Sequence, residues 1–261
     1  MQLELRIVVL VFSTLLVLTG CAGSGGADNS KLGNKNQAAE DAAALQVKLG
    51  QGYLSEGELE TARDKLKRAL ELNPRSVDAH TLMAVLSERI NRPKAAEEFY
   101  LKATKLKPED GSVNNNYGAF LCSVGRFEEA DPYFQRALED PFYRTPAVAS
   151  TNAGVCAMKA GRMDRAEAFL RQSIEMEPKN SAALFELARI HLQKGDLMRA
   201  RAFLQRYEAN AEAAGAEALD LGALIEEKLG NAEGAASYRS RLARDFPRYT
   251  PATETEGTPS S

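Results

Sequence analysis

Tyr117-Gly118-Ala119-Phe120-Leu121-Cys122-Ser123-Val124-Gly125-Arg126-Phe127-Glu128-Glu129-Ala130-Asp131-Pro132-Tyr133-Phe134-Gln135-Arg136-Ala137 is the stretch on which the fold turns. Tyr117, Gly118 and Leu121 share one face of a first helix, Gly125 supplies a turn, and Ala130, Phe134 and Ala137 share one face of a second helix. Ala130 belongs to a series, Ala62, Ala96, Ala130, Ala166 and Ala200, spaced by 34, 34, 36 and 34 residues. Five positions before each stands a turn residue: Gly57, Asn91, Gly125, Gly161 and Gly195. A constant period with a small residue where two helices cross predicts helical hairpins that bury their apolar faces only by stacking on one another.

The pattern extends in both directions. Leu49, Gly50, Tyr53, Ala62, Leu66, Ala69 and Pro74 mark the first unit, and Met83, Ala84, Ala96, Tyr100, Ala103 and Pro108 the second. Ala153, Gly154, Ala166, Leu170, Ser173 and Pro178 mark the fourth, and Leu187, Ala188, Ala200, Leu204 and Tyr207 a fifth without the proline. Each proline ends the run before it, having no N–H to continue a helix. Leu221, Gly222, Gly230 and Ala235 fit a sixth unit with a one-residue slip, as suits a terminal repeat. This pattern resembles tetratricopeptide repeats, which implies an all-α, right-handed superhelical solenoid of six helix pairs over residues 39–246.

The N-terminus carries a separate signal. A short polar start with one basic side chain, Arg6, precedes an apolar run, Ile7–Leu18, too short for the roughly 20 residues of a spanning helix. It reads as a signal-peptide core over residues 1–20. The run ends in Leu18-Thr19-Gly20-Cys21, which resembles a bacterial lipobox and implies cleavage after Gly20 and lipidation of Cys21. Ala22 at the next position implies sorting to the outer membrane, and two or three acyl chains anchor stably where one does not. Residues 21–38 are expected to form a flexible tether and residues 247–261 a disordered tail.

Composition narrows the function. The net charge of −3 offers no phosphate-binding footprint, so nucleic acid is not an expected partner. The two histidines, His80 and His191, lack metal-ligand spacing, and the glycines build no phosphate-cradling loop. No enzyme activity, cofactor, metal or small-molecule substrate is expected. Cys122 and Cys156 lie on the first helices of successive repeats; an oxidising periplasm permits a bridge, while buried unbridged cysteines are the commoner arrangement.

A polypeptide-binding groove is expected on the first helices of repeats three to five, at Asn115, Ala119, Cys122, Thr151, Val155, Met158, Phe185, Arg189 and Leu192. Asn116 and Asn152 occupy equivalent places, where a carboxamide can pair either with a ligand backbone or with the neighbouring helix.

Asn115-Asn116-Tyr117-Gly118-x-Phe120-Leu121, Glu128-Glu129-Ala130, Asp140-x-x-Tyr143 in the two-residue expansion before repeat four, and Leu242-x-x-x-Phe246-Pro247 together resemble the PilF/PilW lipoproteins of type IV pilus biogenesis. The likeness covers nearly the whole chain after residue 20; Cys122, where a larger residue is usual, and the Thr/Ser/Pro tail depart from it. It implies a lipid-anchored pilotin on the periplasmic face of the outer membrane, which binds secretin subunits and promotes their localisation and multimerisation. An adaptor that docks cell-wall hydrolases or outer-membrane assembly factors is the alternative.

Overall fold

The computed structural model describes residues 27–210 and 214–250. Among them are twelve α-helices: α1 (Ala27–Glu56), α2 (Leu59–Leu72), α3 (Val77–Arg89), α4 (Pro93–Leu106), α5 (Gly111–Ser123), α6 (Phe127–Glu139), α7 (Pro146–Lys159), α8 (Met163–Met176), α9 (Ser181–Gln193), α10 (Leu197–Asn210), α11 (Ala216–Lys228) and α12 (Ala232–Asp245). Each packs on the helix before and after it, and α5, α7, α9 and α11 also touch in succession, so six antiparallel pairs stack as a solenoid.

Local sequence explains each hairpin. Asn91 and the turn glycines Gly57, Gly125, Gly161, Gly195 and Gly230 all have positive φ, a conformation glycine and asparagine tolerate best. Arg126 N–H then bonds the Leu121 carbonyl at 2.9 Å and Gly125 N–H the Cys122 carbonyl at 3.2 Å, the two bonds of a Schellman cap. Ala62, Ala96, Ala130, Ala166 and Ala200 are wholly buried where the paired helices cross. A second small position lies on the first helix of each pair. A Cβ added at Gly154 would lie 2.7 Å from Leu170 Cγ, and one at Gly118 would lie 3.1 Å from Phe134, so the missing side chain lets a large one on the partner helix close in. The sixth pair keeps this contact between Gly222 and Tyr238, with its turn at Gly230 one residue later than in the other repeats.

The apolar core runs along the stack, from Val47, Ala69 and Ala79, through Tyr100, Tyr117, Leu121 and Phe134, to Leu170, Leu187 and Leu204. The two-residue expansion between α6 and α7 is held at both ends of its turn. Asp140 accepts from Gly111 N–H at 2.7 Å and Phe142 N–H at 2.9 Å, and the Tyr143 ring fills the space over Gly111.

Two expected boundaries move. Helix α1 begins at Ala27, so residues 27–38 are helical rather than tether; no proline interrupts them, and extending a helix already packed at residues 43–56 costs no new nucleation. Pro247–Tyr249 is ordered, with Tyr249 N–H bonding the Phe246 carbonyl at 3.0 Å, because the proline turn returns the tyrosine to the solenoid. Residues 1–26, which include the expected leader and Cys21, and residues 251–261 lie outside the described residues. No described helix is long and apolar enough to cross a membrane.

Candidate functional site

The first helix of each pair carries the candidate surface, and the structure divides the expected groove residues into two groups. Ala119, Asn116, Asn152, Val155, Met158, Phe185 and Leu192 are half-buried, and Arg189 is exposed. Met158, Phe185 and Leu192 lean against the core of repeats four and five, while Val155 stays clear of it.

Asn115, Cys122 and Thr151 belong to the wall, not to the open surface, with exposures of 5%, 7% and 6%. Asn115 Oδ1 accepts from Asn152 Nδ2 at 3.0 Å, which joins α5 to α7 and gives Asn152 a partner on the neighbouring helix; Asn116 takes no part in this bond. Thr151 Oγ1 bonds the Ala147 carbonyl at 2.9 Å and Ser173 Oγ at 2.8 Å, so it has little capacity left for a ligand. Cys122 is joined to Cys156 by a disulfide, with Cα atoms 5.6 Å apart. The physical reason is shared: an α-helix in a solenoid has faces toward its own partner helix and toward the next repeat as well as one toward the groove, and periodicity within one helix does not separate them.

Two clefts open on the surface formed by the first helices. One, about 630 Å³, lies among α1, α3 and α5 and is lined by Val47, Lys48, Asp78, Leu82 and Asn116 among others. The other, about 550 Å³, is lined by Phe185 of α9, Tyr207 of α10, Ala218 and Glu217 of α11, and Tyr249 beyond α12. Sequence reasoning confined to the central repeats missed α1, α3 and Tyr249. The repeat period, which marks α1 and α3 as first helices, was the available signal for the first, and no period reaches Tyr249.

Charge along this face is uneven. Burial pushes the Glu186 carboxyl up, opposed by Arg189, whose guanidinium lies 3.0 Å away, and the Glu217 charge pushes it further. Behind the face, His80 and His191 are both buried, and burial lowers the pKa of each. His80 Nε2 lies 3.0 Å from the Pro74 carbonyl, and the His191 ring stacks on Phe203. No group of three or more His, Cys, Asp or Glu side chains able to hold a metal occurs among the described residues.

Comparison with known proteins gives the same architecture. Tetratricopeptide repeat models match residues 53–115, 123–176 and 157–225. The chain is 32% identical over 240 residues to the type IV pilus assembly protein PilF of Pseudomonas aeruginosa, covering 91% of this chain and 93% of that protein. The crystal structure of PilW, a widely conserved type IV pilus biogenesis factor, superposes with a TM-score of 0.75 at 33% identity, covering 83% of this chain and 98% of PilW. The structure of Pseudomonas aeruginosa PilF does so with a TM-score of 0.75 at 28% identity, covering 84% and 98%.

Proposed function

The chain belongs to the PilF/PilW family of tetratricopeptide-repeat proteins of type IV pilus biogenesis, and we propose that it acts there as a pilotin for the secretin. On this reading it binds secretin subunits along the face formed by its first helices, delivers them to the outer membrane and promotes their multimerisation. It is held on the periplasmic side of that membrane by acyl chains on Cys21.

The observation that carries the reading is a likeness to PilF that runs almost from end to end, in a chain whose first helices offer an open face with two clefts. Stacked helical pairs keep such a face rigid, so a partner segment is ordered on binding while the scaffold is not. No bond need be made or broken. The lipid would supply the address and the groove the recognition.

The test is association with purified secretin subunits of the same pilus system, measured by light scattering with the wild type and with Val155→Glu. Val155 is half-exposed and clear of the core, so the substitution spares the fold. Burying an apolar anchor contributes about 1.5–3 kcal/mol, so binding at least about tenfold weaker is expected. Arg136→Glu, on the exposed side of α6, serves as the control. Secretin subunits that bind neither protein count against the secretin as the partner, and subunits that bind both equally count against the groove as the interface.

A further inference from the structure

Tyr249 follows the last helix and yet has a fixed place. The chain leaves α12 through Phe246-Pro247-Arg248-Tyr249, and the bond closing this turn at 3.0 Å repeats those at Ser76, to Asn73, and at Asn180, to Glu177, which measure 3.1 and 3.0 Å. At the earlier sites the turn launches the next helix. Here it seats Tyr249 beside α11, its hydroxyl 3.5 Å from the Asp220 carboxylate. From that position Tyr249 lines one cleft with Phe185 and Tyr207, whose ring centroids are 5.6 Å apart. Glu217 is exposed at the same cleft, and Ala182 and Ala218 keep its walls low.

We propose that this cleft is a recognition pocket for one cationic side chain, lysine or arginine, of a polypeptide lying along the groove. The inference rests on the reading of the groove as a polypeptide-binding surface and adds the chemistry of its C-terminal end. Three aromatic side chains line a common space, and an aromatic ring attracts an ammonium or guanidinium group over its face. A carboxylate at the rim adds a charge-assisted hydrogen bond, and the alkyl stem of lysine or arginine packs on the rings. Anionic segments are disfavoured by the same groups. Arg189, the nearest basic side chain on α9, is paired with Glu186 and leaves the Glu217 carboxylate to the ligand.

The test uses the full chain and a phage-displayed library of random linear peptides, with affinities of recovered peptides measured by fluorescence anisotropy. Three proteins are compared: wild type, Glu217→Lys and Tyr249→Ala, each checked for helicity by circular dichroism. Recovered peptides are expected to share a lysine or arginine. Replacing it with norleucine should weaken binding to wild type by about tenfold, the combined effect of the rings and the carboxylate, and should change little on Glu217→Lys. Peptides without a shared cation, affinities indifferent to norleucine or to both variants, or recovery of no binding peptide would overturn the proposal. The partner assignment fails separately: secretin subunits that do not bind, beside cationic peptides that do, remove the secretin and leave the pocket.

Discussion

Cys122, at the end of α5, is covalently joined to Cys156, in the last turn of α7, across a sequence separation of 34 residues. One turn back along α7, Asn152 makes its bond to Asn115. Repeats three and four are therefore joined along their first helices by a covalent bond and a hydrogen bond.

Replacing both cysteines by serine should destabilise the protein by about 3–4 kcal/mol, the loop-closure effect for a loop of this length. Urea unfolding of wild type and variant under non-reducing conditions measures it. The difference should shrink to the smaller cost of burying two hydroxyls in place of two thiols when both are unfolded in excess reductant. Equal midpoints without reductant would show that the thiols are unpaired.

Packing at the helix crossings tolerates no growth. Ala130 is wholly buried, so Ala130→Glu forces overpacking and a buried charge into one site and should cost several kcal/mol. Gly154→Ala is the gentler test: its Cβ would meet Leu170 Cγ at 2.7 Å and the Ala166 carbonyl at 3.3 Å, for an expected loss of about 1–3 kcal/mol. Thermal unfolding within a degree of wild type for both would refute the assigned register.

Acid should weaken the contact between repeats four and five through Glu167. Lys194 Nζ bonds one carboxylate oxygen at 2.8 Å and Arg171 Nε the other at 2.8 Å, and the nearby His191 adds to the pull, lowering the Glu167 pKa from 4.5 to about 2. Because the folded value is depressed, the stabilisation is fully present above pH 4.5 and is lost as pH falls toward 2. Glu167→Gln should flatten the fall in stability over that window, measured by urea titrations at successive pH values. A parallel fall in the variant would assign the acid sensitivity elsewhere.

Cys21→Ser should abolish the membrane anchor, since a hydroxyl does not replace the thiol in thioether formation, while leaving the helical spectrum intact. Membrane fractionation reads the outcome. Variant protein still in the outer membrane would show that the anchor lies outside Leu18-Thr19-Gly20-Cys21.

What the sequence determined by itself is the repeat. A left-handed turn selects glycine or asparagine locally, and a close helix crossing selects alanine or glycine, so Gly125, Ala130 and Gly154 reveal turn, crossing and period with no knowledge of the rest. The tertiary structure decided which side of each first helix faces the groove. Asn115, Cys122 and Thr151 share a helical stripe with groove residues, yet Asn115 and Cys122 point toward the next repeat, whose placement depends on how successive pairs rotate against each other, and Thr151 points toward Ser173 of its own pair. It also decided the disulfide, which needs two Cβ atoms brought together from different helices, and the seat of Tyr249, whose partners Phe185 and Tyr207 lie more than forty positions earlier. Local rules reach about one turn along the chain, whereas these three contacts exist only after the repeats have stacked.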